Sequence, residues 1–382
     1  MRARKTNWGA AVARRPSVLA LTCLVAIITG CASEQREPTR LGAASLVIAA
    51  SAQDAELDEA LFQGAIFLIN ADGAHSRITT SGMDGAKLLP LGAGVSFSDQ
   101  QNDYLLGESL TSWKRTQQAS LEIGAVTIGS GEVVAAFNQG EDEAGYRTDV
   151  ATFGSSGSQL TTQLGLTPQG ITKCGEDVYL VGAPADQAPH LMAVQAIGKR
   201  PGDPLRYPFE PTNWPDRIAC LDGRIMSVVA DAEAEPDTKG TVAAYLSTID
   251  PQTDRLRLTR LGAGNEIPLR LQEGEADGAV YRVETASEGN LEWVGAGSGR
   301  AFRTDPTSGA TTVVASGLPT KDNEQAVIRF TPSGCDVLAP DLDGVWVWHK
   351  YDDDWALVTK QRLPWLAGEL GPMFVYDFLH MG

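Results

Sequence analysis

One hairpin pattern occurs three times between Gly124 and Val229, and this repeat decides the fold. The copies read GAVTI (124–128) to VVAAF (133–137), GITKC (170–174) to VYLV (178–181), and DRIAC (216–220) to IMSVV (225–229). They start at residues 124, 170 and 216, so the offset is 46 residues each time. Each copy has a short strand, a tight polar turn and a strongly apolar strand. A repeat of this kind predicts the first half of a four-stranded blade.

Similar units continue on both sides of this stretch, and long helical periodicity is almost absent. Upstream and downstream, the strand-like runs are Gly94–Phe97, Tyr104–Leu106, Val327–Phe330, Val337–Leu338, Val345–Trp348 and Trp355–Val358. Residues 45–382, divided by a blade of about 40 to 50 residues, give roughly seven units. The sequence therefore predicts an all-β repeat architecture.

This repeat resembles the β-propellers of the YVTN and WD40-like type that occur in bacterial envelope proteins. The resemblance covers residues 45–382 and implies a ring of about seven four-stranded blades. A pair of tandem β-sandwiches is the alternative. In a propeller we expect the chain ends to close the ring, with Ser45–Ala50 pairing with Met373–Leu379, because closure removes the exposed sheet edges.

The N-terminus resembles a bacterial lipoprotein signal. Five basic residues precede the apolar run Val18–Ile28, and Ile28-Thr29-Gly30-Cys31 has the form of a lipobox. The resemblance implies that acyl chains such as palmitate are attached to Cys31, which becomes the new N-terminus after cleavage. The expected partner is then a lipid bilayer, and the expected location is the extracytoplasmic face of the cell membrane. An ordinary secretory signal or an uncleaved anchor is the alternative, and Sec or twin-arginine export stays open.

These features divide the chain into a signal peptide (1–30), a flexible tether (31–44) and the propeller domain (45–382). The full chain of 382 residues has 31 basic and 48 acidic side chains, a formal net charge of −17. Residues 1–30 hold five of the basic and none of the acidic ones, so the remainder carries −22. A surface this negative repels nucleic acid, so we expect no nucleic-acid partner.

The cysteines of the folded part predict one disulfide. Cys174 and Cys220 occupy the same position in successive repeats, so both should end an innermost strand, near the channel. Neighbouring inner strands approach closely there, although a bridge requires Cα atoms within about 7 Å. We expect Cys335 to remain a thiol. No CxxC spacing indicates a zinc or redox site.

The sequence contains no catalytic motif that we can assign. The four histidines form no HxH or HxxxH pair, and neither a nucleophile elbow nor a phosphate loop is present. We therefore predict no catalytic residue, no cofactor and no metal site. Acidic residues are the one catalytic type in surplus, in the groups Glu273, Glu275 and Asp277; Asp341 and Asp343; and Asp352, Asp353 and Asp354. Asp341-Leu-Asp343-Gly344 also resembles a calcium loop, but Val345 and Trp346 break the EF-hand pattern.

Aromatic residues concentrate near the C-terminus. Trp346 and Trp348 share one face of an extended strand, so they form either a stacking platform for sugar rings or the packing between adjacent blades. Together with Asp341 and Asp343 they are the candidate ligand-binding residues.

Three functions follow as hypotheses. The first is a membrane-anchored, non-catalytic binding or scaffolding propeller whose partner is another envelope protein or a glycan. The second is a carboxylate-based enzyme acting on envelope polysaccharide, a glycoside hydrolase or a lyase-like protein. It would need two acidic residues that converge at one mouth of the channel between aromatic walls. The third, a solute-binding lipoprotein of a transporter, requires helices that the sequence does not predict.

Overall fold

The computed structural model describes residues 40–381 of the chain. Its gaps are 53–62, 120, 130, 143–144, 155–156, 163–165, 185–191, 198–203, 210, 212–217, 231–240, 263–267, 273–274, 277–278, 283–288, 296–297, 322, 324 and 372. The predicted signal peptide and Cys31 lie outside the described residues. Of the predicted tether, residues 40–44 are described: the Leu41 N–H donates to the Gly107 carbonyl, and Ala44 already begins the first strand.

The described chain forms seven small sheets in a ring, a seven-bladed β-propeller. Blade 1 has β1 (Ala44–Ala52), β2 (Gln63–Asn70), β3 (His75–Ser81) and the C-terminal β30 (Met373–His380). Blade 2 has β4 (Leu89–Leu91), β5 (Gly94–Ser98), β6 (Asn102–Leu106) and β7 (Leu110–Lys114). Blade 3 has β8 (Leu121–Ile128), β9 (Glu132–Asp142), β10 (Gly145–Gly154) and β11 (Gly157–Thr162). Blade 4 has β12 (Leu166–Cys174), β13 (Asp177–Pro184), β14 (Met192–Ile197) and β15 (Leu205–Tyr207).

Blade 5 has β16 (Ala219–Leu221), β17 (Arg224–Ala230), β18 (Thr241–Asp250) and β19 (Arg255–Arg260). The hairpin β20 (Pro268–Gln272) and β21 (Glu275–Ala276) extends this sheet by pairing with the start of β18. Blade 6 has β22 (Ala279–Arg282), β23 (Leu291–Gly295), β24 (Arg300–Thr304) and β25 (Thr311–Ser316). Blade 7 has β26 (Val327–Thr331), β27 (Gly334–Pro340), β28 (Trp346–Tyr351) and β29 (Leu357–Leu363), followed by a short helix α1 (Leu366–Leu370).

The fold prediction is confirmed, and the three repeated hairpins are the first two strands of blades 3, 4 and 5. Their turns share a backbone requirement, since Gly129, Gly175 and Gly223 have φ values of 56°, 66° and 72°. Glycine adopts this left-handed conformation without steric cost, so the turn recurs with the repeat. The upstream unit is shifted within its blade: Gly94–Phe97 and Tyr104–Leu106 fall in the second and third strands of blade 2.

The C-terminal strand closes the ring, as predicted. β30 pairs antiparallel with β1, from Leu46 opposite His380 to Ala52 opposite Met373. β30 is thereby the innermost strand of blade 1, next to β26, the innermost strand of blade 7. This pairing covers the edge of β1 that would otherwise be the inner edge of blade 1.

Strand direction alternates within each blade and gives the ring two faces. The lower face carries the turns between first and second strands and between third and fourth strands, together with the chain ends near Ala44 and His380. The upper face carries the other connections, including residues 82–88 between blades 1 and 2. Apolar clusters between adjacent blades form the core, with Phe67, Phe137 and Trp293 fully buried. Within the described residues, no helix is long and apolar enough to cross a membrane.

Candidate binding site at the channel mouth

Residues 84–88 extend the innermost strand of blade 2 toward the upper face. β4 itself has only three residues, but Asp84 forms a parallel bridge with Leu121 at the start of β8. The Glu122 N–H donates to the Asp84 carbonyl at 2.8 Å. This segment therefore lies between β8 of blade 3 and β30 of blade 1, where the channel opens.

Hydrogen bonds fix the segment on both sides. The Met83 N–H donates to Ser51 Oγ at 2.8 Å, the Lys87 N–H to Glu122 Oε2 at 3.1 Å, and the Leu88 N–H to Asp377 Oδ2 at 2.9 Å. Gly85 has a φ of 71°, and a Cβ at this position would lie 2.3 Å from the Glu122 carbonyl oxygen. A glycine is thus required for the segment to approach β8.

A buried ion pair between Arg329 and Asp377 lies below residues 84–88. Arg329 Nη1 lies 2.9 Å from Asp377 Oδ2 and also donates to the Phe378 carbonyl at 3.1 Å, while Nη2 donates to the Leu88 carbonyl at 2.8 Å. Asp377 is fully buried and Arg329 is 8% exposed. One guanidinium therefore joins blades 7, 1 and 2, and its bonds within the protein give it a structural role.

An aromatic pair lines the mouth above this ion pair. On β30, Phe374 lies opposite Ser51, and Tyr376 is the extra residue of a β-bulge between Val375, opposite Ala50, and Asp377, opposite Ala49. Phe374 is 43% exposed. The Tyr376 hydroxyl lies beside the Asp84 carboxylate, and burial together with this carboxylate raises the pKa of Tyr376.

Glu122 is the buried acid of the site. Burial raises the pKa of Glu122 to about 8, against the opposing effects of the Lys87 N–H and the charges of Lys87 and Arg115. Its side chain is therefore mostly neutral at pH 7. Asp84 and Lys87 are half-buried and carry opposite charges at the mouth.

A second charged network stiffens the neighbouring loop of blade 2. Arg115 Nη1 lies 2.6 Å from Asp103 Oδ1, which also accepts from Ser98 Oγ, and the guanidinium lies over the Phe137 ring at 4.3 Å. Burial raises the pKa of Asp103, and Arg115 offsets part of this rise. Because these groups satisfy one another, we assign them to stability.

The structure separates the four predicted ligand-binding residues. Trp346 and Trp348 are 5% and 6% exposed and pack with Leu338 and Phe378 in the core between blades 7 and 1. Neither ring offers an exposed face to a ligand, so of the two roles that the sequence predicts, the pair takes the packing between adjacent blades. Asp341 and Asp343 lie outside this core, in the turn between β27 and β28.

The acidic turns have local structural roles. Asp341 Oδ1 accepts the N–H groups of Asp343 and Val345, both at 3.0 Å, and Oδ2 accepts from Arg362. Asp352 caps the turn before β29 in the same way. Glu275 lies in β21, and Glu273 and Asp277 lie outside the described residues. Among the residues that the structure describes, no group of three or more histidine, cysteine or acidic side chains could hold a metal.

The predicted disulfide is confirmed. Cys174 and Cys220 are bonded at 2.03 Å with Cα atoms 5.2 Å apart, at the ends of the innermost strands of blades 4 and 5. Cys335 takes no part in it and is a buried thiol, 1% exposed.

Sequence reasoning missed the mouth residues Asp84, Lys87 and Glu122. Phe374 and Tyr376 lie in the segment Met373–Leu379 that the sequence predicts to close the ring, but nothing in the sequence indicates that Phe374 is exposed. The available signal was Asp84-Gly85, a turn dipeptide placed where an inner strand should begin.

Comparisons with known proteins support the fold alone. No protein-family model matches the chain, and no curated protein matches its sequence. Among solved structures, the cobalt-substituted apocarotenoid oxygenase from Synechocystis superposes with a TM-score of 0.50 at 9% identity, covering 84% of this chain and 90% of that one. Apo AztD from Citrobacter koseri gives 0.40 at 11% identity, covering 84% and 95%. The nidogen/laminin complex gives 0.45 at 13% identity, covering 77% and 97%. The chain is similar to these proteins in its propeller architecture.

Proposed function

We propose that the chain is a lipid-anchored, extracytoplasmic binding propeller that uses its channel mouth to hold a ligand. On this proposal a lipoprotein signal peptide (1–30) is cleaved before Cys31, which carries the lipid, and the blades are of the YVTN/WD40-like type.

The observation that carries the proposal is the separation of the chain ends from the mouth. β1 begins at Ala44 on the lower face, whereas Asp84, Phe374 and Tyr376 lie toward the upper face. Residues 31–43 span at most about 45 Å when fully extended. An anchor at Cys31 would hold the lower face toward the membrane and leave the mouth open to a partner.

Metabolic labelling with a fatty acid tests the anchor. The wild-type protein should take up label and partition into detergent, whereas Cys31→Ala should do neither. Cys335→Ala is the matched control, because its buried thiol is far from the signal in sequence, and it should be labelled like the wild type. Equal labelling of Cys31→Ala and wild type would contradict the proposal.

A carboxylate-based enzyme acting on envelope polysaccharide is the second candidate. Glycoside cleavage uses one neutral and one ionised carboxyl group, and the raised pKa of Glu122, whose N–H donates to the Asp84 carbonyl, fits the neutral role. However, Glu122 is buried and accepts a hydrogen bond from the Lys87 backbone, so binding ranks first. Release of reducing ends from cell-wall glycan by wild type and not by Glu122→Gln would favour the enzyme. No release by either would leave binding.

A further inference from the structure

The exposed ring of Phe374 is unusual for its place in the fold. Six large apolar residues are exposed in the described part of the chain: Leu258, Val313, Leu342, Leu357, Val358 and Phe374. The first five lie on outer strands or in a loop, and Phe374 alone lies on an innermost strand. Solvent reaches an innermost strand from the channel, so this ring is open to a molecule that enters the mouth.

Acidic, basic and hydroxyl groups lie on β30 and on residues 84–88, which β30 contacts through Asp377. Tyr376 is two residues further along β30, with its hydroxyl beside the Asp84 carboxylate. Lys87 is half-buried three residues after Asp84, in a segment held by hydrogen bonds to β8 and β30. An apolar surface with a few fixed polar groups is the usual composition of a small-molecule site.

Among the residues that the structure describes at the mouth, positive and negative charges balance, although the chain as a whole is strongly acidic. Asp84 and Lys87 carry opposite charges, Glu122 is mostly neutral, and Asp377 is paired with Arg329. The formal net charge of the whole chain is −17. A charged ligand would find no uncompensated opposite charge here, whereas an uncharged polar ligand would lose nothing.

From these observations we propose that the channel mouth binds an uncharged saccharide. The apolar face of a sugar ring packs on Phe374, its hydroxyl groups donate to Asp84, and Lys87 donates to its oxygen atoms. The inference rests on the proposed binding function and narrows it to a class of ligand.

Binding of defined hexasaccharides to the full chain in detergent tests the class. The uncharged probes are cellohexaose, maltohexaose and N-acetylated chitohexaose; an oligogalacturonate and fully deacetylated chitohexaose supply the anionic and cationic counterparts. Isothermal calorimetry should show saturable binding of at least one uncharged probe and weaker binding of both charged ones. Binding of a charged probe alone, or of none of the probes, would overturn the inference.

Variants place the binding at the mouth. Phe374→Ala and Asp84→Asn should each weaken binding roughly five- to tenfold. Leu342→Ala is the matched control, because Leu342 is also a large apolar residue, fully exposed in an upper-face turn of blade 7, and this variant should bind like the wild type. Unchanged affinity in both mouth variants, with melting temperatures that show an intact fold, would overturn the inference.

The outcomes separate the ligand class from the proposed function. If a charged probe binds and Phe374→Ala weakens it, the saccharide inference fails while a binding function at the mouth remains. If Cys31→Ala keeps its fatty-acid label, the anchored function fails, whatever the calorimetry shows.

Discussion

The two shortest innermost strands, β4 and β16, have three described residues each, and the ring holds them in different ways. β4 is extended by residues 84–88, which hydrogen bonds to Glu122 and Asp377 and the guanidinium of Arg329 fix from three blades. β16 is joined to its neighbour by the disulfide between Cys174 and Cys220. A short innermost strand forms few backbone hydrogen bonds within its sheet, so each of these two strands needs a further connection to a neighbouring blade. The polar connection at β4 also forms the candidate binding site.

We expect the largest effect from loss of β30, which takes part in the polar connection of β4. Deletion of residues 372–382 removes β30, and with it Asp377, the aromatic pair and the partner of β1. We expect the cooperative thermal transition of the whole domain to be lost, because blade 1 would expose an inner edge. Deletion of residues 381–382 alone is the control and should melt like the wild type. A long truncation with an unchanged melting temperature would contradict the closure.

The second-largest effect should come from loss of the Arg329 guanidinium. Arg329→Met leaves the Asp377 carboxylate buried without its cation, which costs about 3–5 kcal/mol of unfolding free energy. Arg362→Met removes an exposed pair with Asp341, whose side chains are 55% and 32% exposed, and should cost less than about 1 kcal/mol. Urea denaturation of both variants measures the difference. Equal losses of unfolding free energy would show that the buried pair of Arg329 and Asp377 stabilises the protein no more than the exposed pair does.

Removing the covalent connection should have a smaller effect. The disulfide closes a sequence separation of 46 residues, so the double variant Cys174→Ala/Cys220→Ala should lose about 2–4 kcal/mol of unfolding free energy. Cys335→Ala controls for the loss of a buried thiol outside the disulfide. If reduction of the wild type leaves its denaturation midpoint unchanged, the disulfide does not stabilise the connection at β16.

The last expected effect depends on pH and concerns Glu122, the buried acid that accepts a hydrogen bond from the Lys87 N–H. The folded state holds the Glu122 proton more tightly than the unfolded chain, because burial raises its pKa to about 8. Its contribution to stability is therefore fully present below about pH 4.5 and is lost as pH rises through about 8. Glu122→Gln should unfold at nearly the same denaturant concentration as wild type at pH 5 and be the more stable protein at pH 8.5, by roughly 3–4 kcal/mol for a folded pKa of about 8. A parallel pH dependence in both proteins would contradict the assignment.

The sequence predicts the blades well because their regularity is local. A strand, a turn with a left-handed glycine and an apolar strand recur at residues 124, 170 and 216, and the position of Cys174 and Cys220 in that repeat predicts their bond. β4 escaped detection because it has three residues, with Pro90 in the middle. A period alone therefore finds the long strands and misplaces the short ones.

The candidate site was harder to predict because its residues come from different blades and meet only when the ring has formed. Asp84 and Glu122 come together through a parallel bridge between two blades, and Tyr376 reaches them only once the C-terminus has closed blade 1. For Trp346 and Trp348, alternation shows that the rings share a face, but whether another blade covers that face depends on tertiary packing. Local sequence patterns show neither which blades meet at the site nor which faces another blade covers.

Hydrogen–deuterium exchange of β30 tests the central claim most directly, namely that the C-terminal strand is the innermost strand of blade 1 and builds the channel mouth. The account predicts that the β30 amides that pair with β1 exchange as slowly as those of β1 and β27, through global unfolding. Exchange of residues 373–380 within seconds, as in a loose tail, while β1 and β27 stay protected, would contradict it.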